Sequence, residues 1–425
     1  MKRNKNMAIT SRSITFTILL LTCLLSTLVA RGADTENWTR FRGSDGTGHT
    51  TDTNLPVKWD ANSLTWKTEL KGHGQSSPVI WGDRIFLTSA LENGKQRLVF
   101  CIDAHDGKVQ WEQVAWTGEP EKSHKMNGWA TSTCCTDGQY VFAWFGKGGM
   151  HCYTIEGKHV WSRNDLGEFV SGTHRGTAAS PILADHLLII NGDSESDHAL
   201  FGLDKLTGKT VWKTDRPAWE GYSTPVPVEV AGHRELALNG EGFVAGYDPL
   251  SGKQLWQCKS FAGRGEPLPA AAADGVIYVV NGLAGDMYAV KAGGTGDVTK
   301  TNMLWHTPRR GGRDGPSPLL INGYLIVSNM AGIGACYDAA TGKELWKTRL
   351  GGKISGSPIA AGKLAYLLFE DGETVVLEPG PEMKEIARNK VGAAADEIFR
   401  ASPVPWHGHL LLRSDRVLYC VGGSR

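Results

Sequence analysis

Asp338-Ala-Ala-Thr-Gly342-Lys343-Glu-Leu-Trp346 has the form Asp-x-x-x-Gly-Lys-x-x-Trp, and the chain carries that pattern again and again. Other full copies are Asp103…Gly107-Lys108…Trp111, Asp204…Gly208-Lys209…Trp212 and Asp248…Gly252-Lys253…Trp256. Gly157-Lys158…Trp161 is a shortened copy, and Leu304-Trp305 closes one with an expanded turn. Trp66, in Leu64-Thr-Trp-Lys-Thr-Glu-Leu70, has the strand without the turn before it. Successive members of the series 66, 111, 161, 212, 256, 305 and 346 lie 41 to 51 residues apart. A period of that size marks a repeat architecture built from one supersecondary unit.

A second landmark keeps the same frame. Ser77-Pro78, Ser180-Pro181, Thr224-Pro225, Ser317-Pro318, Ser357-Pro358 and Ser402-Pro403 each open an alternating apolar stretch, and Ser132-Thr133 and Pro269-Ala270 stand in the same place, making eight units. Within one unit, 180–183, 187–191, 199–203 and 210–214 read as short strands separated by polar or glycine turns, with no helical period between them. Four strands per unit and eight units predict an all-β, eight-bladed propeller of four-stranded blades. The last unit has three strands and no tryptophan strand, while 64–70 is a tryptophan strand without a unit. Pairing the two closes the ring and removes two free edges. The expected organisation is a signal peptide over 1–32, an irregular arm over 33–63 and the propeller over 64–422.

These repeats resemble the tryptophan-docking motif of the pyrroloquinoline quinone (PQQ) repeat propellers, which include quinoprotein alcohol dehydrogenases and an outer-membrane β-barrel assembly lipoprotein. Trp38-Thr-Arg-Phe-Arg-Gly-Ser-Asp-Gly-Thr-Gly48 and Ser76-Ser-Pro-Val-Ile-Trp-Gly-Asp-Arg-Ile-Phe86 look like exported PQQ-binding-like repeat proteins. The resemblance implies the propeller fold, with Trp66, Trp111, Trp161, Trp212, Trp256, Trp305 and Trp346 as blade-docking residues. It implies PQQ with Ca²⁺ only for the dehydrogenase relatives, so the fold does not carry the chemistry with it.

Composition is otherwise ordinary: 425 residues, 45 Lys+Arg against 44 Asp+Glu, 41% hydrophobic, but 53 Gly and 15 Trp. The glycines follow from turns that need positive φ. Near-neutral charge argues against nucleic acid as the partner. Lys2, Arg3, Lys5 and Arg12 precede the apolar run 14–30, and Ala30-Arg31-Gly32 offers small residues for cleavage, the form of a secretory signal. Its removal takes five cations and leaves 40 against 44, a mildly acidic exported chain, periplasmic or extracellular, without a membrane span.

Cys101, Cys152, Cys336 and Cys420 occupy one third-strand position where other units carry Gly202, Gly246, Ala289 and Val376, a place for a small apolar residue. Cys134-Cys135 align with Ile182 and Leu183 at the end of a first strand. PQQ alcohol dehydrogenases hold an adjacent-cysteine disulfide against the quinone, so the pair invites comparison, although this alignment sets it away from the ligand side. Whether the two are bonded stays open at the level of sequence.

Each link from a tryptophan strand to the next Ser/Thr-Pro strand crosses one face toward the axis, and loops on such a scaffold are where sites are built. Those links carry His73, Gln75 and His124. The ligand-binding candidates among them are Asn127, Trp129, His174, Arg175, Tyr222, Arg264, Glu266, Arg313, Asp314, Lys353, Glu397 and Arg400, with Trp129 the candidate for stacking. Arginine forks with a few carboxylates suit a small anionic or hydroxyl-rich ligand. The bland alternative is a rim that is polar because it is wet. No catalytic or metal set is assigned: there is no Cys-x-x-Cys-His, His-Glu-x-x-His or Gly-x-Ser-x-Gly, and the glycine run 293–296 lies between strands. Three functions remain in view: an exported binding or scaffolding module with its ligand or partner at the funnel face, a PQQ-dependent dehydrogenase of alcohols or sugars, and an envelope assembly factor that presents the rim to a protein.

Overall fold

The computed structural model describes residues 37–422, apart from 125, 173–174, 218, 260–263, 283–284 and 310–311. The signal-peptide assignment and His174 lie outside these residues. The described chain folds into eight antiparallel sheets, one per sequence unit. Numbered along the chain, blade 1 spans 79–117, blade 2 135–163, blade 3 182–215, blade 4 226–259, blade 5 270–307, blade 6 319–349 and blade 7 359–390. Blade 8 is Val404–Trp406, His409–Arg413 and Val417–Gly422, completed by Leu64–Glu69, whose Trp66 lies opposite Cys420. The ring is therefore closed by its own first strand. Two sheets gain a fifth strand: His49–Thr50 runs parallel to the inner strand of blade 7, and Gly296–Asp297 runs parallel to the outer strand of blade 4.

Burial follows position within a blade. A second strand such as Leu187–Asn191 is buried along its whole length because both faces pack on neighbouring blades, whereas the outer Thr210–Asp215 alternates. Each apolar cluster spans adjacent blades, for example Phe142 and Cys152 of blade 2 with Ile190 and Phe201 of blade 3. No blade has a core of its own, so stability is shared around the ring.

The glycine and tryptophan of the repeat meet between blades. The indole N–H groups of Trp66, Trp111, Trp161, Trp305 and Trp346 donate to the carbonyls of Ala104, Ile155, Lys205, Ala339 and Gly380 in the next blade, at 2.8 to 3.1 Å. Gly107 has φ +72°, and a Cβ there would stand 2.5 Å from the Trp66 ring, so the turn needs glycine twice over. Trp212 lies over Gly252 in the same way, but its N–H finds no acceptor. Trp256 departs from the scheme: the long turn of blade 5 folds over it as the added strand, and its N–H goes to Glu235 Oε2 at 2.6 Å. Within a blade each indole faces the small residue of the third strand. Trp111 pairs with Cys101 and Trp346 with Cys336, and a Cβ on Gly246 would lie 2.1 Å from Trp256.

Two alignments shift by one residue. Thr133, not Ser132, stands where Ser180 stands, and Leu268-Pro269, not Pro269-Ala270, opens blade 5. Consequently Cys135 pairs with Phe142 as Ile182 pairs with Ile189, and Cys134 takes the proline position. The cause is that these units lack the Ser/Thr-Pro dipeptide that anchored the others. All seven described cysteines are free and buried, and burial raises the Cys134 thiol to about 12.

Candidate functional site

The residue two positions before each inner strand comes to the channel axis. Ser77, Thr133, Ser180, Thr224, Leu268, Ser317, Ser357 and Ser402, one from each blade, line a single cavity of about 220 Å³. They are linked to one another around the ring. The Ser77 N–H donates to Thr133 Oγ1 (2.9 Å), that of Thr133 to Ser180 Oγ (3.0 Å) and that of Ser180 to Thr224 Oγ1 (2.9 Å). The chain resumes with Leu268 to Ser317 (3.2 Å), Ser317 to Ser357 (3.0 Å), Ser357 to Ser402 (2.9 Å) and Ser402 to Ser77 (3.0 Å). Only Leu268 has no hydroxyl to offer, so the Thr224 N–H lacks the acceptor its counterparts have. Seven hydroxyl oxygens thus act as acceptors within the protein, and each keeps its own proton.

Strand periodicity sets a second tier. Two residues earlier, Gln75, Thr131, Ala178, Tyr222, Glu266, Gly315, Ser355 and Arg400 also line the cavity, because alternate residues of an extended chain face the same way. His124, Met126, Asn127, Arg175, Arg313 and Met330 complete the wall. At the opposite end the arm crosses the channel. Trp38 bridges Ile80 of blade 1, Thr39 accepts from Thr136 of blade 2, and Gly48 accepts from Ala360 of blade 7. Arg42 donates to the carbonyls of Thr47 (2.7 Å), Pro318 (3.0 Å) and Pro358 (3.2 Å), and Phe41 reaches the cavity as its base. The channel is thereby a cup open toward the inter-blade links. The sequence showed the arm but not its role, since nothing in residues 37–50 marks an axial position.

Charges on the wall are paired. Arg313 grips Glu266 through two bonds of 2.9 and 2.6 Å. Arg264 lies 3.3 Å from Glu220 and 3.9 Å from Glu266, and Arg175 lies 3.3 Å from Glu220. Across the cup Arg400 meets Glu370 at 3.0 Å, and Ser355 donates to the same oxygen at 2.6 Å. Burial pushes the Glu266 carboxyl up and the Arg313 fork opposes it. Burial, followed by Glu220 and Glu266, holds the Tyr222 phenol well above its ordinary range. Its hydroxyl and the Asn127 Oδ1 are buried without a hydrogen-bond partner, an unusual state for polar atoms in a folded chain.

Of the candidates, Asn127, Arg175, Tyr222, Glu266, Arg313 and Arg400 are brought together in this lining. Five go elsewhere. Trp129 donates to the Glu121 carbonyl at 2.8 Å and packs over Gly94, so it braces a blade 1 loop and offers no stacking face to the cup. Arg264 stands behind the wall. Asp314 is fully buried against Arg309 (3.1 and 3.2 Å), with burial raising it to about 6. Glu397 is buried beneath the Tyr419 hydroxyl (2.8 Å), and Lys353 is exposed on the rim. Sequence reading missed the hydroxyl ring. Its signal is a Ser or Thr at one column in seven of eight units, the same residue that marks where each inner strand opens.

The fold and cup define the class first: a PQQ-repeat propeller with a closed ring of eight blades. The chain also matches the family of the outer membrane protein assembly factor BamB over residues 42–131, 122–318 and 296–379, and it belongs to that family. It is 30% identical over 184 residues to the BamB assembly factor of Alkalilimnicola ehrlichii, an alignment that spans 42% of each chain. With the BamB of Burkholderia pseudomallei the identity is 22% over 352 residues, 72% of this chain and 85% of the relative. A europium-containing methanol dehydrogenase shares the fold, with TM-score 0.70, 11% identity, and 91% and 98% of the two chains covered.

The dehydrogenase comparison invites a test of the residues against a quinone and Ca²⁺. Among the described residues no group of three or more His, Cys, Asp or Glu side chains is placed to hold a metal ion. Glu266, the one carboxylate of the described lining, is engaged by Arg313, and Asp314 and Glu397 are buried elsewhere. Cys135 lines a separate depression with Thr39 and Arg40 on the far side of the ring, so the cysteine pair has no face on the cup. The described residues of the cup do not supply the carboxylates that a quinone-bound Ca²⁺ would need. Among the described residues no helix is long and apolar enough to cross a membrane.

Proposed function

We propose that this chain is an exported binding module whose working site is the cup, taking a small polar ligand seated on the hydroxyl ring. The observation that carries the reading is the convergence of seven hydroxyls, one from each of seven blades, on one cavity. The buried, unpartnered Tyr222 hydroxyl and Asn127 Oδ1 support it, because a ligand would satisfy both. The test is a panel of PQQ with Ca²⁺, neutral sugars and carboxylates, read as thermal stabilisation of the purified chain. Stabilisation by any member should vanish in Ala178→Trp, which fills the cup from its wall. Stabilisation that survives a folded Ala178→Trp would place the ligand elsewhere and end this reading.

The family match favours a second reading, in which the rim presents the propeller to a protein during envelope assembly. Loss of the gene should then lower the amount of folded outer-membrane protein, and Lys353→Glu at the exposed rim should reproduce part of that loss. Normal levels in the deletion would end it.

A further inference from the structure

We infer that the hydroxyl ring of the cup is an oxyanion site and that its ligand is a monoanion, a carboxylate carried on a compact apolar body. This rests on the reading of the cup as a binding site and names the chemistry it accepts. One lone pair of every ring oxygen is taken by a backbone N–H, which leaves each of the seven hydroxyls a proton and one further lone pair. The Tyr222 O–H adds another donor at the tier above. Against these the wall offers the Asn127 Oδ1 and the Gln75 amide oxygen, since Glu266 is occupied by Arg313. A carboxylate brings only acceptors and takes several of these protons at once in charge-assisted bonds, a strength that a neutral sugar hydroxyl lacks.

Among the described residues, Arg175, Arg264, Arg313 and Arg400 stand against Glu220, Glu266 and Glu370, an excess of one positive charge. One negative charge completes the site, and a tricarboxylate would bury two that nothing compensates. Leu268 breaks the hydroxyl ring, and Phe41, Met126 and Met330 line the same cavity, so part of the wall is apolar and adaptable.

Such a carboxylate could be a free small acid or the C-terminus of a peptide, and the probes separate them. Calorimetric titration of the full mature chain would use benzoate, its neutral isostere benzamide, inorganic phosphate, glucose, and a short peptide ending in phenylalanine with a free or an amidated terminus. Benzoate should bind at least about tenfold more tightly than benzamide, the usual advantage of a charge-assisted hydrogen bond. Tyr222→Phe removes no bond within the protein, so it should weaken benzoate several-fold and leave the unfolding midpoint in place. Free-terminus peptide binding with none for the amide would identify a chain end, and benzoate binding alone would identify a small acid. Benzamide or glucose binding as tightly as benzoate would overturn the oxyanion inference while leaving the cup a binding site. No binding by any probe would overturn both.

Discussion

Replacing Trp66 with alanine tests whether the ring is held shut where the two chain ends meet. Trp66 belongs to Leu64–Glu69, the strand that completes blade 8, yet its indole packs on Gly107 of blade 1 and donates to the Ala104 carbonyl at 2.8 Å. The residue is only 9% exposed, so nearly the whole ring leaves a cavity. Truncation of a buried Trp costs about 3 to 5 kcal/mol, and the stranded carbonyl adds about 1 kcal/mol. We expect a loss of about 4 to 6 kcal/mol in urea unfolding, seen as a lower midpoint at unchanged slope. Trp66→Phe should recover most of the packing and lose only about 1 kcal/mol. Trp212, partly buried and without an acceptor for its N–H, should cost less than Trp66 when cut to alanine. A Trp66→Ala loss under about 1 kcal/mol, the range of an ordinary surface change, would refute closure by this seam.

The arm makes a comparable claim: Arg42, 1% exposed and donating to three carbonyls, should cost about 3 kcal/mol on change to methionine, measured by urea unfolding, and a neutral outcome would deny it a structural place. Gly246→Ala should destabilise by about 1 to 3 kcal/mol, since the new Cβ would stand 2.1 Å from Trp256, whereas Gly82→Ala meets no atom within 4 Å and should cost only the strain of its φ of +57°. His151 is buried with Nε2–H donating to the Gly148 carbonyl and Nδ1 accepting from Ser162, each at 2.8 Å, and burial lowers its pKa to about 4. The unfolded imidazole protonates first, so stability should fall as pH drops from about 6.5 to about 4, by roughly 3 kcal/mol, and His151→Gln should flatten that part of the stability curve against pH.

The fold was legible because one residue pair repeats it. Tryptophan and glycine recur at fixed spacing since each blade fastens to the next through that contact, and the cysteine column followed from the same register. The orphan strand at 64–70 and the three-strand last unit named each other as partners. The site was less legible. Arg175, Tyr222, Glu266, Arg313 and Arg400 could be chosen as polar loop residues, but sequence carries no measure of which loop residues face the axis. Trp129, Asp314 and Glu397 looked equally suitable and are spent on bracing the loops. The two units without a Ser/Thr-Pro dipeptide shifted by one residue, enough to turn an extended chain to its other face. The arm's role as a base depends on contacts with residues nearly 320 positions away, which no local pattern announces.

The central claim is that eight sequence units converge on one binding cup. Calorimetric titration of the mature chain with benzoate tests it most directly. One site per chain is expected, abolished in a folded Ala178→Trp and unchanged in Lys353→Ala at the exposed rim. Saturable binding that persists in Ala178→Trp, or that is lost in Lys353→Ala alone, would contradict it.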